Sequence, residues 1–176
     1  MSIKPGEAQF CADGGGQGWR VCLGGGSSPC TRFDACGYGG GGCFVAGTLV
    51  MTDAGYAPIE TLEVGERVLT MSGDGMGKQQ VSVTETYRSV EIGYYLINGT
   101  VKVTGTHPFR VRDRWVQARD LRVGDELVGE NGEPVAITSL EQIARGVRVF
   151  NIEVDGNHAF YAGGVLVHNK KDPNEP

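Results

Sequence analysis

The segments YAPIETLEVGERVL (residues 56–69) and WVQARDLRVGDELV (residues 115–128) repeat one pattern within a single chain. Each segment predicts an aromatic residue after a β-turn, a short helical turn, and a Val-Gly-acid turn that leads into a strand. This agreement in identity and order favours an internal duplication over two similar turns arising by chance. Two copies of one β unit predict a pseudo-twofold-symmetric β fold. Identical or chemically similar residues recur 59 positions apart: Tyr56 and Trp115, Leu62 and Leu121, Val64 and Val123, Gly65 and Gly124, and Glu66 and Asp125.

Short strand-like runs surround both copies. They are rich in Val, Ile, Thr and aromatic residues and are separated by turns such as SGDGMG (72–77) and ENGEP (130–134). Helical periodicity is nearly absent, and the best candidates are the short turns PIETL (58–62) and QARDL (117–121). Many short strands at close spacing predict an all-β fold, either closed or sandwich-like.

Residues 1–42 have a different character, because glycine dominates them. Such a segment loses much backbone entropy on folding, so we expect a largely flexible arm unless its cysteines are cross-linked. The intervals between the cysteines vary and no Cys-x-x-Cys pair occurs, which disfavours a zinc site relative to a loose, disulfide-bearing linker. We therefore expect no metal and no cofactor. The chain has five cysteines, four of them in this arm: Cys11, Cys22, Cys30, Cys36 and, at the start of the strand-rich region, Cys43.

Composition narrows the classes of partner. The chain has 176 residues, enough for one compact domain with additions, and a net charge of −5 argues against a nucleic-acid-binding surface. The N-terminal residues contain no apolar run of signal-peptide length, and no stretch approaches the roughly 20 apolar residues that span a bilayer. We expect a soluble monomer, cytoplasmic at synthesis, that binds neither nucleic acid nor membrane.

Four residues in two short motifs are candidates for covalent chemistry. Cys43 follows four glycines, and the carbonyl of Gly42 is sterically open to a thiol. Cysteine is the side chain best suited to attack near neutral pH, although a lone buried cysteine is more often an inert apolar residue. Thr104 and His107 form a T-x-x-H motif, and the following proline holds His107 in an extended or turn conformation. The 59-residue offset carries Thr48 onto His107.

The remaining two histidines lie near the C-terminal end. His158 occurs in VFNIEVDGNHAF, and the apolar run VLV ends at His168 and Asn169, followed by Lys170. An asparagine at a strand end is usually a turn former. Its side-chain amide can also attack its own backbone carbonyl, forming a succinimide and cleaving the next peptide bond. A fold can accelerate that reaction by fixing the geometry and supplying an imidazole as acid or base.

Three stretches in this order resemble the Hint (hedgehog/intein) domain: CFVAGTLVMTDAGYAPIETLEVGERVLT (43–70), VTGTHPFRV (103–111) and VFNIEVDGNHAFYAGGVLVHN (149–169). The similarity is above all to bacterial intein-like domains and to the Hint domains of bacterial polymorphic toxins. It implies a horseshoe-like, pseudo-twofold all-β fold over residues 43–169. Residues 1–42 and the polar tail 170–176 would then be extein-like flanking segments.

The resemblance also implies single-turnover, cis-acting autoproteolysis on the flanking segments. Cys43 would attack the Gly42 carbonyl in an N-to-S acyl shift, and Thr104 would help hold that strained peptide. His107 would protonate the departing amine of Cys43. Asn169 would cyclise, and His158 would assist that cyclisation. His168, the penultimate residue, would polarise the carbonyl of Asn169.

Two positions depart from the usual splicing pattern. Asn151 stands where many inteins carry a catalytic Asp, and since it cannot act as a charged acid or base, it is a candidate tuning position. Lys170 replaces the Cys, Ser or Thr that receives the acyl group in splicing, and it has neither thiol nor hydroxyl. We therefore expect cleavage at either end, with little or no splicing.

Two other interpretations remain open from the sequence. The domain could be a non-catalytic or relic β interaction module whose Cys/Gly arm binds a partner or a metal. It could also release a downstream effector from a longer native chain.

Overall fold

The computed structural model describes residues 8–12, 19–23 and 42–169, the first two ranges by their backbone alone. The chain divides into two compact units, residues 1–34 and 35–176. In the first unit, Ala8–Ala12 (β1) and Trp19–Leu23 (β2) pair as antiparallel strands. This hairpin was not predicted from the sequence, because glycine dominates the residues around both strands. The other residues of the arm lie outside the described ranges.

The second unit is built from strands and two single turns of 3-10 helix, Ile59–Thr61 and Ala118–Asp120. No helix in the described part of the chain is both long and apolar enough to span a bilayer. The strands are Phe44–Val45 (β3), Leu49–Thr52 (β4), Gly55–Pro58 (β5), Arg67–Met71 (β6), Lys78–Glu91 (β7), Tyr94–Ile97 (β8), Val101–Val103 (β9), Pro108–Val111 (β10), Arg114–Gln117 (β11), Glu126–Val128 (β12), Pro134–Ala136 (β13), Leu140–Ile143 (β14), Val147–Val154 (β15), Ala159–Ala162 (β16) and Val165–His168 (β17).

The sequence repeat is a structural repeat. β4, β5, the first 3-10 turn and β6 match β10, β11, the second 3-10 turn and β12 in order and pairing. Each 3-10 turn begins with a matching hydrogen bond: Ile59 N donates to Thr48 O at 2.8 Å, and Ala118 N donates to His107 O at 2.9 Å. The predicted duplication is therefore confirmed.

Glycine is required at one repeated position. Gly65 and Gly124 have φ values of 94° and 97°, a left-handed conformation that few other residues adopt. Each also donates its N–H to a distant carbonyl: Gly65 to Val83 O on β7, and Gly124 to Ile137 O just after β13, both at 2.8 Å. The Val-Gly-acid turn thus fixes how each copy joins the sheet.

The two copies are related by a pseudo-twofold axis that passes through two places in the sheet. The hairpin of β16 and β17 lies between β4 and β10, with Ala162 opposite Val50 and Val167 opposite Phe109. At a second place in the same sheet, β3 pairs directly with β9. The paired residues Phe44 and Val103 are themselves 59 positions apart. The expected all-β, pseudo-twofold architecture is confirmed.

The core is dominated by aromatic and branched aliphatic side chains, the largest being Phe44, Phe109, Phe160 and Tyr161. Burying one such side chain contributes about 1.5–3 kcal/mol to stability. The buried polar residues among the described residues are Thr70, His107, Asn151 and His168. The last three of them were singled out from the sequence. Buried polar groups are costly, so their presence in this core points to function.

Candidate functional site

The backbone of Cys43 is held from both sides by Thr104. The N–H of Cys43 donates to Thr104 Oγ1 at 2.7 Å, and the N–H of Thr104 donates to Cys43 O at 2.8 Å. This clamp follows from the strand pairing on the axis, because the residue before Phe44 faces the residue after Val103. Thr104 therefore contacts the nitrogen of the Gly42–Cys43 peptide bond, the bond predicted to be cleaved.

Cys43 is fully buried and disulfide-bonded in this structure. It is the only cysteine in residues 42–169. A disulfide sulfur carries neither a thiol proton nor a thiolate charge, and the thiolate is the nucleophile. The structure thus holds Cys43 in an oxidised form, and the attack predicted for it requires reduction first.

Gly42 lies directly against the backbone of His107. A Cβ placed on Gly42 would meet His107 N at 2.2 Å and His107 Cα at 2.4 Å, far inside van der Waals contact. The close approach explains glycine at this position and places the acyl side of the Gly42–Cys43 peptide bond beside the histidine.

His107 is completely buried among aromatic rings. Its imidazole centroid is 4.3 Å from the Phe44 ring and 5.9 Å from the Phe109 ring. This burial lowers the pKa of His107 to about 3; the Gly42 backbone opposes the shift, and the charge of His168 adds to it. Neither ring nitrogen reaches hydrogen-bond geometry with a described residue, so the Gly42 backbone is near but not properly aligned. At neutral pH the ring is uncharged and can accept a proton.

Asn151 is a buried neighbour of the same site. It lies on β15, one residue beyond the Phe150–Phe44 pair, which places it level with Cys43. Its side chain is 3% exposed, and its Oδ1 accepts the N–H of Ile152 at 2.9 Å. The amide therefore bonds to its own strand, as expected for a neutral residue in a buried position.

The three predicted C-terminal residues also come together. His168 ends β17 opposite Ala159 at the start of β16, and the ring centroids of His158 and His168 are 6.2 Å apart. The N–H of Asn169 donates to the carbonyl of His158 at 2.9 Å. His158 has φ of 55°, an uncommon value for a non-glycine residue that turns the chain sharply into β16. The turn sequence did not predict this conformation.

The side-chain amide of Asn169 is buried without a hydrogen-bond partner among the described residues, at both Oδ1 and Nδ2. Buried amides are nearly always paired, and exceptions concentrate at functional sites. An amide nitrogen with no competing acceptor is available to attack a nearby carbonyl. Lys170, the residue that would leave, lies outside the described residues.

The residues around the Gly42–Cys43 bond and the residues around Asn169 meet at one end of the β10–β17 pair. Phe109 faces Val167, so His107 just before β10 is level with Asn169 just after β17. The two histidines also interact electrostatically, because the charge of His168 lowers the pKa of His107. Among the residues that the structure describes, no group of three or more potential ligands could hold a metal ion.

One feature of the site was missed from the sequence. Trp115, noted only as a repeated aromatic position, packs edge-on against His168 with a centroid distance of 4.9 Å. Arg110 lies over the indole, its Cζ 5.3 Å from the ring centroid. Strand pairing brings these residues together, and the sequence alone contains no signal for that register.

Comparison with known proteins shows what this chain is similar to. The pretoxin Hint domain family matches residues 49–170. A bacterial intein-like domain from Clostridium thermocellum is similar in structure, with a TM-score of 0.67, 32% identity, and coverage of 72% of this chain and 98% of the other. A DnaB intein from Synechocystis sp. PCC 6803 shares the fold at a TM-score of 0.66 and 19% identity, over 73% of this chain and 99% of the other. No protein of curated function matches the chain in sequence.

These matches confirm the expected family and the expected Hint/intein fold, and such a fold has a general capacity for self-processing. Since the family match covers well over half of the 176 residues, the chain belongs to the Hint superfamily, close to bacterial intein-like domains and to the Hint domains of polymorphic toxins.

Proposed function

We propose that residues 43–169 form a single-turnover autoprocessing domain that cleaves its own flanking segments. One cut lies at the Gly42–Cys43 bond and the other at the Asn169–Lys170 bond. The observation that carries the proposal is the convergence of both predicted reaction centres at the end of the β10–β17 pair, where His107 and Asn169 are level.

The N-terminal reaction starts once Cys43 is reduced. Its sulfur attacks the Gly42 carbonyl carbon, the C–N bond breaks, and the thiol proton ends on the freed amine of Cys43. His107 is suited to carry that proton, because its lowered pKa keeps the ring neutral until it accepts one. The hydrogen bond from Cys43 N–H to Thr104 Oγ1 holds the reacting amide in place. The product is a thioester between Gly42 and the Cys43 sulfur.

The C-terminal reaction uses the buried amide of Asn169. Its Nδ2 attacks the backbone carbonyl of the same residue, a succinimide forms, and the amine of Lys170 leaves with the proton. His168 polarises the carbonyl, and His158 accepts and returns the proton. The hydrogen bond from Asn169 N–H to His158 O supports this arrangement, because it fixes the chain beside the rings of His158 and His168.

The two reactions end in cleavage and not in splicing. Splicing needs a thiol or hydroxyl after the asparagine to receive the acyl group, and Lys170 has neither. The lysine ammonium is protonated near pH 7 and is a poor nucleophile in that form. Water or an added thiol therefore takes the acyl group.

Intact-mass measurement over time, with and without a thiol such as dithiothreitol, tests the proposal. Reduced wild type should lose residues 1–42 and, separately, residues 170–176. Cys43→Ala should abolish only the first cut and Asn169→Ala only the second. Full-length protein that persists at neutral pH under reducing conditions would sink the proposal and would favour a non-catalytic role.

The family match suggests what the cleavage is for. Pretoxin Hint domains match this chain up to residue 170, where the predicted C-terminal cut lies. In a longer chain, cyclisation of Asn169 would release Lys170 together with everything that follows it. An effector domain fused after residue 176 should therefore appear as a free product, and the Asn169→Ala variant should keep it attached.

A further inference from the structure

One face of the sheet carries an aromatic contact that the reaction steps above do not use. Trp115 on β11 lies opposite Arg110 on β10, and the Trp115 ring reaches His168 on β17 at 4.9 Å with an interplanar angle of 68°. His168 is only 6% exposed. An edge-to-face contact of this kind fixes the orientation of a ring and adds about 0.5–1.5 kcal/mol beyond area burial.

The duplication supplies an internal comparison for this contact. Tyr56 is the equivalent of Trp115, and register places Gly163 where the other half has His168. With no imidazole to contact, Tyr56 is 57% exposed and its hydroxyl donates to Glu130 Oε2 at 2.6 Å. The same fold position is therefore turned outward in one half and packed on a histidine in the other.

We propose that Trp115, with Arg110 stacked on it, is a positioning residue for the C-terminal cleavage, acting by holding the His168 ring in the orientation that Asn169 requires. This inference rests on the proposed cyclisation of Asn169. Trp115 does not touch the reacting atoms itself. Its part is to limit the motion of His168 and to keep solvent from that side of the ring.

The expected effects follow from the shape of the contact. Phenylalanine keeps an aromatic edge at the same place, whereas leucine fills space but has no ring to orient the imidazole. Small misplacements of catalytic groups have large kinetic effects. Trp115→Leu should slow C-terminal cleavage by about tenfold, and Trp115→Phe by less than about threefold. Thiol-induced cleavage at Cys43 should be unchanged in both.

The test measures both cuts by intact mass in wild type, Trp115→Leu, Trp115→Phe and the matched control Tyr56→Leu. A pH–rate profile of the C-terminal cut accompanies it, because a histidine that loses its fixed neighbour changes its titration. NMR of the His168 imidazole in the non-cleaving Asn169→Ala protein reports the ring contact directly. Trp115→Leu should alter both the profile and the imidazole shift, while Tyr56→Leu alters neither.

Three results overturn the inference. The first is wild-type C-terminal cleavage that Trp115→Leu leaves unchanged. The second is an equal loss at both cuts, which means a general loss of fold. The third is an equal effect of Tyr56→Leu. A wild type that never cuts after Asn169 instead refutes the proposed function, and the wild-type sample alone reveals that outcome.

Discussion

Replacing Gly42 with alanine tests the geometry of the N-terminal reaction most directly. The added Cβ would lie 2.2 Å from His107 N and 2.4 Å from His107 Cα, whereas ordinary van der Waals contact begins at 3.4 Å. One of the two backbones must therefore move by about 1 Å. His107 is fixed by complete burial and by the Phe44 ring, so we expect Gly42 to move.

The displacement moves the Gly42 carbonyl carbon out of line with the attacking sulfur of Cys43. A misplacement of about 1 Å can slow a positioned reaction about 100-fold, which corresponds to about 2.7 kcal/mol in the activation barrier. Gly42 does not adopt a left-handed backbone, so the effect is steric and not one of φ. We expect thiol-induced cleavage of reduced Gly42→Ala protein to fall by about this factor.

The assay follows release of residues 1–42 by intact mass after addition of excess thiol. Gly73→Ala is the matched control, because that glycine has open space around its Cβ position and no positive φ. The C-terminal cut should proceed normally in both variants. If Gly42→Ala is cleaved within about threefold of wild type, the close approach to His107 does not constrain the reaction and the reasoning fails.

Three further outcomes are expected. Without reductant, the N-terminal cut should be absent while the C-terminal cut proceeds, since Cys43 is held in a disulfide and the cyclisation of Asn169 uses no thiol; mass spectrometry with and without thiol checks this. Thr104→Val leaves the buried N–H of Cys43 without its acceptor, so the free energy of unfolding should fall by about 1–3 kcal/mol in urea titrations and the N-terminal cut should slow; an unchanged rate would remove Thr104 from the mechanism. The pKa of His107 is about 3 in the fold against 6.5 as the ordinary value, so the unfolded chain binds the proton first as pH falls. The free energy of unfolding should therefore decline from pH 6.5 towards pH 3 by up to about 1.4 kcal/mol per pH unit. In the His107→Gln variant, the urea midpoint of unfolding should depend less on pH between pH 6.5 and about 5 than it does in wild type.

Much of the fold was predictable because the repeat encodes it twice. The left-handed backbone at Gly65 and Gly124 favours glycine, and this local constraint can be recognised in the sequence. The offset of 59 then predicts which strands are equivalent, and the equivalent residues Phe44 and Val103 face each other in the sheet. Pairing partners that are not equivalents, such as β7 with β15, could not be predicted, because period-2 alternation does not specify a neighbour.

The candidate residues of the site could be chosen from the sequence, because few residue types can perform the expected chemistry. Their environment in the fold could not be predicted in this way. Burial of His107 depends on rings from two distant strands, so its lowered pKa has no local signal. The disulfide-bonded state of Cys43 has no local signal in the sequence, and the Trp115 contact depends on the strand register across β10. Such properties arise only when the chain is folded.

The position of the last hairpin has a consequence for the timing of synthesis. β16 and β17 are the final strands in sequence, yet they lie between β4 and β10 and connect the two halves. Chains grow from the N-terminus at roughly 5–20 residues per second. Neither half can complete its sheet while the hairpin is still inside the ribosome. A flanking segment before Cys43 therefore leaves the ribosome, and can begin to fold, before the domain that would detach it exists.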